Sequence, residues 1–158
     1  MGRKQTSRII TIGGIAAIAV LVGFMIALQV SAARNNEFKR GFEKIVIEVN
    51  TLTQQYQAEE GKWLAKKYDN STMVSVIDQY LPRYQKLMDR AEALDTPDRY
   101  KEAQGYLASA IMFEKQSNEH FRNYLVSGDQ REYDVSSDLL TKSLTDSANA
   151  DAAIKAAG

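Results

Sequence analysis

The hydrophobic and polar positions divide the chain into an uncharged run near its start and a long amphipathic remainder. Residues 9–33 are twenty-five positions without one charged side chain, preceded by Arg3, Lys4 and Arg8 and followed by Arg34. As a helix rising about 1.5 Å per residue, this run would extend about 37 Å, more than the ~30 Å hydrocarbon core of a bilayer. The pattern therefore predicts a transmembrane helix over residues 9–33.

A cleaved secretory signal is the alternative interpretation of this run, because small residues near its end fit a cleavage pattern. Signal-peptide cores usually run about 7 to 15 residues, whereas this apolar stretch is unbroken over residues 9–28. The length favours a retained anchor. A short basic segment, residues 1–8, favours a cytoplasmic N-terminus with residues 34–158 extracytoplasmic, although basic residues follow the run too and the positive-inside count does not decide.

Beyond residue 34, apolar side chains recur at alternating spacings of four and three, which is typical of amphipathic helices. The first stripe predicts a helix that continues from the span as far as Tyr68. The second predicts a helix over residues 72–94, either kinked at Pro82 or divided there into two short helices. The first stripe consists of Phe38, Phe42, Ile45, Val49, Leu52, Tyr56 and Trp63. The second consists of Met73, Ile77, Tyr80 or Leu81, Tyr84, Leu87 or Met88, Ala91 and Leu94.

Two boundaries predict the remaining helices. Thr96 is a candidate N-cap and Pro97 a candidate first helical residue, so a third helix should begin there. Gly128 suits a left-handed C-cap of that helix. The spacing of Asp129 and Glu132 is that of a capping box, which predicts that a fourth helix starts there. The face expected to be buried on the fourth helix consists of Tyr133, Ser137, Leu140, Leu144, Ala148, Asp151 and Ile154.

These elements predict an all-α protein in which an N-terminal transmembrane helix is followed by an antiparallel four-helix bundle. The roughly 125 residues after the span are enough for one domain with its own core. A long three-helix coiled coil with a loose tail is the main structural alternative.

Charge and composition narrow the classes of function. The formal net charge of the whole chain is zero, but three of the twenty basic residues precede the run and all twenty acidic residues follow it. Residues 34–158 therefore carry a net charge of about minus three, unlike the basic surface of a nucleic-acid-binding protein. The chain has no cysteine, which excludes disulfides, thiolate metal sites and cysteine nucleophiles.

Candidate catalytic or metal-binding groups are few. His120 is the only histidine, and it lacks the glutamate spacing of di-iron bundles, so we expect a partly exposed residue on a helix face. Glu59 and Glu114 fall on otherwise apolar stripes, and we expect them to pair with lysine, arginine or tyrosine. The sequence thus predicts no catalytic, metal-binding or cofactor-binding residue, and no enzymatic activity.

Two further features concern surfaces and clefts. Tyrosine and tryptophan side chains on or beside the stripes predict an aromatic-rich core, and a small-molecule cleft near Pro82 is the alternative use for them. These side chains are Tyr56, Trp63, Tyr80, Tyr84, Tyr100 and Tyr124. Asn70, followed by Ser71 and Thr72, is the one candidate glycosylation site and falls in a predicted turn.

The predicted anchor carries the most specific interaction signal. Small residues recur along it at spacings of three and four, and such a face lets another membrane helix approach closely. We predict that this face packs against other transmembrane subunits or against a second copy of the chain. It consists of Gly13, Ala16, Ala17, Val20, Gly23 and Ala27.

In outline the chain resembles the membrane-anchored four-helix sensory domains of bacterial and archaeal receptors, without their second span and signalling region. Residues 94–140, LDTPDRYKEAQGYLASAIMFEKQSNEHFRNYLVSGDQREYDVSSDLL, also resemble uncharacterised single-span, extracytoplasmic helical proteins of archaeal and bacterial type. In those proteins a helix begins at a Thr-Pro pair and ends at a Gly-Asp turn. This resemblance implies a fold and no activity.

The leading hypothesis is a non-catalytic, membrane-anchored interaction or accessory subunit of a larger membrane complex. In plan the chain is similar to accessory subunits of respiratory enzymes and monooxygenases, including archaeal ammonia monooxygenase. One alternative is an extracytoplasmic ligand-binding or sensor module. Another is a pilin-like surface subunit, although the leader-site glycine and early glutamate of bacterial pilins are missing.

Overall fold

Four α-helices account for most of residues 33–158, the part of the chain that the computed structural model describes. The predicted all-α class is confirmed for this part. No helix within it is long and apolar enough to cross a membrane. The predicted anchor face, Gly13 to Ala27, lies outside the described residues. The helices are α1 (Ala33–Leu64), α2 (Asn70–Glu92), α3 (Lys101–Ser127) and α4 (Gln130–Ala157), with a short 3-10 turn at Asp98–Tyr100 before α3.

Five of the seven predicted stripe residues of α1 are buried, whereas Val49 and Trp63 are only partly buried. The helix ends at Leu64, four residues before Tyr68. Lys66 adopts a left-handed backbone conformation with φ 58°. The amide of Lys66 donates to the carbonyl of Trp63, and the amide of Lys67 donates to that of Lys62. This pair of hydrogen bonds closes the helix in the manner of a Schellman motif, with lysine where glycine is usual. The buried stripe residues are Phe38, Phe42, Ile45, Leu52 and Tyr56.

Helix α2 is a single helix that contains Pro82, so the alternative of two short helices is wrong. The Asp69 carboxylate accepts from the amide of Thr72 at 2.7 Å and caps the helix at its N-terminus. The residues that this helix buries keep one phase on both sides of the proline. They are Met73, Ile77, Tyr84, Leu87 and Ala91.

The predicted start of the third helix is wrong. Pro97 has an extended backbone with ψ 145°, so it cannot be the first residue of a helix, and α3 begins at Lys101. The hydroxyl of Thr96 donates to the carbonyl of Leu94 at 2.9 Å and does not cap the helix. The 3-10 turn between Pro97 and α3 places the ring of Tyr100 in the core.

The junction between α3 and α4 follows the prediction in part. Gly128 has φ 73° and forms the left-handed C-cap, and the Asp129 carboxylate accepts from the amide of Arg131 at the start of α4. The capping box is not formed, because the Glu132 carboxylate contacts His120 and Asn123 across the junction.

The buried face of α4 differs from the predicted one. Over its first half, the buried positions are shifted by one residue from the predicted stripe. Serine and alanine form much of this face, so the hydrophobic period that the prediction relied on is weak there. The buried residues are Ser136, Leu139, Ser143, Ala150 and Ile154, of which only Ile154 was expected.

Consecutive helices are antiparallel, and each pair of neighbours is joined by contacts at two levels along its length. Between α1 and α2, Arg90 contacts Glu48 and Arg83 contacts Gln55. Between α2 and α3, Gln104 contacts Ala91 and Arg122 contacts Asp78. Between α3 and α4, Ser109 contacts Asp146 and His120 contacts Glu132. The described part of the chain is thus a helical bundle in which all four helices contribute to the core.

The core is divided into two apolar clusters. The larger cluster contains side chains from all four helices, including Phe42, Tyr84, Ile111 and Ile154. The smaller one consists of Tyr56, Met73, Ile77, Phe121 and Leu125. On both α1 and α3, the residues of the larger cluster are followed along the sequence by buried polar residues and then by residues of the smaller cluster. These polar residues form the candidate site.

Two glycines test this description of the helices. Gly105 lies inside α3 with nothing within 4 Å of an added Cβ, whereas Gly128 holds a left-handed conformation. We expect Gly105→Ala to raise the free energy of unfolding by about 0.5–1 kcal/mol and Gly128→Ala to lower it by about 1 kcal/mol. Urea unfolding followed by circular dichroism measures both, and equal effects of the two substitutions would contradict the assignment.

Candidate functional site

A layer of buried polar side chains separates the two apolar clusters. Such a layer needs internal hydrogen bonds, because a buried polar group without a partner costs about 1–3 kcal/mol. Its members come from α1, α3 and α4, and Tyr84 of α2 adds its hydroxyl. They are Thr53, Glu114, Ser117, Asn118 and Ser136, each at most 9% exposed.

Glu114 is the centre of this layer. Its Oε1 atom accepts from the Thr53 hydroxyl at 2.6 Å and from the Tyr84 hydroxyl at 2.9 Å. The two hydroxyl oxygens are 3.3 Å apart. One carboxyl oxygen therefore joins α1, α2 and α3, which confirms the expectation that Glu114 pairs with a tyrosine.

Burial raises the pKa of Glu114 above the ordinary value of a glutamate, and the hydrogen bonds from Thr53 and Tyr84 oppose that rise only in part. Removing a charged carboxylate from water costs more free energy than these two neutral donors return. Burial also raises the pKa of the Tyr84 hydroxyl, which stays protonated and donates. The site thus favours a neutral carboxyl group.

Ser117 and Ser136 connect α3 to α4 within the same layer. The Ser117 hydroxyl donates to the backbone carbonyl of Ser136 at 2.7 Å, and the two hydroxyl oxygens are 3.1 Å apart. Serine side chains are short, so the two helices can approach closely here.

A cavity of about 50 Å³ opens beside this layer, between α1, α3 and α4. Two buried polar atoms of residues in its wall, the Tyr56 hydroxyl oxygen and Asn118 Nδ2, have no hydrogen-bond partner among the described residues. None of the lining residues comes from α2, so this cavity is not the cleft expected beside Pro82. The lining residues are Thr53, Tyr56, Gln57, Glu60, Glu114, Ser117, Asn118, Phe121, Tyr133, Ser136, Ser137 and Leu140.

The other two predicted polar residues lie outside this site. His120 is a helix-face residue with a side chain 35% exposed, as expected, and its Nδ1 is 2.7 Å from a Glu132 carboxylate oxygen. Glu59 accepts from the Lys62 ammonium at 2.7 Å and from the Tyr68 hydroxyl at 2.8 Å. These bonds lower the pKa of the Glu59 carboxyl, which is therefore an ordinary surface carboxylate.

Some of the aromatic residues expected in the core are buried, and others are only partly buried. Tyr56, Tyr84 and Tyr100 are buried as expected, whereas Trp63 and Tyr80 are only partly buried and pack against the smaller cluster.

Asn70 is exposed and is the first residue of α2 rather than part of a turn. Its Oδ1 accepts from the Trp63 indole at 2.9 Å, and its Nδ2 donates to the carbonyl of Leu125 at 3.3 Å. A glycan on Nδ2 would replace one of the two N–H groups of the amide. Glycosylation at Asn70 remains a prediction.

Sequence reasoning singled out Glu114 and placed Tyr56 and Tyr84 on the apolar stripes. It missed the other buried polar residues, Thr53, Ser117, Asn118 and Ser136. Thr53 is adjacent to a stripe residue and lies beside the predicted face of α1. On α4 a signal was present, because Ser136, Ser143 and Ala150 recur every seven residues and mark a close-packed helix face.

Within residues 33–158, no group of three or more histidine, cysteine, aspartate or glutamate side chains is arranged to hold a metal ion. Comparisons with protein-family models, with curated proteins and with solved structures find no match to this chain.

The raised pKa of Glu114 predicts a pH-dependent stability. The folded state holds the proton of the Glu114 carboxyl more tightly than the unfolded chain does. The free energy of unfolding therefore falls as pH rises above about 4.5, the ordinary pKa of a glutamate, and it stops falling once pH has passed the folded-state pKa. The loss can reach about 1.4 kcal/mol per pH unit for one proton.

Glu114→Gln keeps the shape and the acceptor oxygen but cannot titrate, so it should not show this loss. Urea unfolding of both proteins between pH 4.5 and 8 measures the difference, with Glu59→Gln as a surface control. Parallel stability curves for wild type and Glu114→Gln would show that Glu114 carries no raised pKa.

Proposed function

We propose that this protein is a non-catalytic, membrane-anchored interaction or accessory subunit of a larger membrane complex. In this proposal residues 9–33 span the membrane, residues 1–8 are cytoplasmic and the helical bundle is extracytoplasmic. The observation that carries it is the small-residue face of the predicted span, Gly13 to Ala27, since a simple tether needs only hydrophobicity.

The start of α1 supports the proposal. The described part of this helix extends from Ala33, the last residue of the predicted span, and its buried stripe starts at Phe38. No proline separates the span from the stripe. Span and bundle can therefore form one continuous helix, which would transmit the position of a membrane partner directly to the bundle.

The bundle surface also favours contact through the span. Among the described residues, the large apolar side chains that remain exposed are Ile47, Val126 and Val135, which lie on three different helices. Isolated exposed apolar side chains are normal on soluble surfaces and do not form a docking patch. The most apolar candidate for a partner surface is then the predicted span.

Two adjacent glycines provide a matched test of the proposal. In a helix, neighbouring residues are turned by about 100°, so Gly13 belongs to the small-residue face and Gly14 does not. We expect Gly13→Leu to reduce the partner recovered by crosslinking in intact membranes and mass spectrometry about fivefold or more, because close helix packing is worth roughly 1–2 kcal/mol.

Gly14→Leu should leave recovery within twofold of wild type. If mild-detergent purification gives only free monomer and crosslinking attaches no membrane protein, the proposal is wrong. Equal loss in both variants would contradict the assignment of the face, and crosslinks to the same chain alone would indicate a homo-oligomer.

A further inference from the structure

We propose that the cavity between α1, α3 and α4 is a binding site for a small neutral molecule with an accepting oxygen, of the amide or alcohol class. This inference is independent of the proposed accessory role. It rests on the size of the cavity, on two unpartnered polar side chains in its wall and on the charges that line it.

The size of the cavity limits what can enter. A volume of about 50 Å³ holds about three or four water molecules, since one water needs ~10–15 Å³ on this measure. A single organic molecule of about four non-hydrogen atoms fills the same space. Sugars, nucleotides and aromatic ligands are too large.

Two unpartnered side-chain atoms specify the chemistry. Tyr56 is 5% exposed and Asn118 is 6% exposed, and both residues line the cavity. The phenol hydroxyl and Asn118 Nδ2 lack a hydrogen-bond partner among residues 33–158. Asn118 Nδ2 is a donor only, and burial raises the pKa of Tyr56, which keeps its proton. Each of the two is therefore a buried donor without an acceptor, and the proposed ligand would supply the missing oxygen.

The lining charges exclude ions of either sign. No lysine, arginine or histidine lines the cavity, whereas Glu60 and Glu114 do, so an anion would meet no compensating charge. A cation is disfavoured because Asn118 Nδ2 cannot coordinate it and burial favours the neutral form of Glu114. A neutral molecule satisfies the donors without burying a charge.

Acetamide is a suitable probe because it has four non-hydrogen atoms and one carbonyl oxygen. The full chain in nanodiscs, labelled with ¹⁵N-asparagine, is titrated with acetamide while the side-chain amide resonance of Asn118 is followed. We expect a saturable shift. Methylammonium, which is smaller than acetamide, and acetate, which is the same size, are both charged and should give none.

Substitutions identify the donors. Tyr56→Phe and Asn118→Leu should each weaken acetamide binding about tenfold, as expected for one lost hydrogen bond to a buried ligand. Binding to Tyr56→Phe is followed on the Asn118 resonance, and binding to Asn118→Leu through a ¹³C-labelled Tyr56 ring. Tyr80→Phe is the matched control, since the Tyr80 ring contacts Tyr56 at 5.5 Å but does not line the cavity.

The inference is wrong if the acetamide shift rises linearly without saturation, or if Tyr56→Phe and Tyr80→Phe bind equally well. Competition by methylammonium or acetate would assign the site to an ion instead. Water resonances that persist unchanged in the cavity at saturating acetamide would show that it holds solvent only. Thermal unfolding of each variant checks that it is folded.

Discussion

The arrangement of the helices depends on one buried carboxyl group. Glu114 lies between two apolar clusters and is only 4% exposed, and its Oε1 accepts from hydroxyls on two other helices. A shift of α1 or α2 along its axis by one turn, about 5.4 Å, would break one of these bonds and leave a buried hydroxyl without its carboxyl acceptor. Apolar packing alone tolerates many alignments, so this hydrogen-bonded layer selects one register.

The same layer explains why the bundle contains a polar cavity. Helices that bury hydroxyl and amide groups cannot fill the surrounding space with apolar side chains, and Tyr56 and Asn118 are left with unused hydrogen-bonding capacity at its wall. The contact of α3 with α4 through Ser117 and Ser136 forms one side of that cavity. A feature that fixes register thereby also creates a place for a ligand.

Much of the fold could be predicted from local sequence, and the failures have physical causes. The stripe of α1 and the Gly128 cap were predictable because strong apolar periodicity and a left-handed glycine are local signals. The face of α4 was not, since serine and alanine carry no apolar period. Glu114 was recognisable as a polar residue on an apolar stripe. Its partner Thr53 was not, because the register between helices is a property of tertiary packing.

The central claim is that burial raises the pKa of the Glu114 carboxyl at the centre of the polar layer. The carboxyl ¹³C chemical shift of Glu114, followed against pH in the folded protein, measures this directly. We predict a midpoint above the ordinary glutamate value for Glu114 and one below it for Glu48, whose carboxylate is hydrogen-bonded to Arg90. A midpoint for Glu114 at or below the ordinary value would contradict the account.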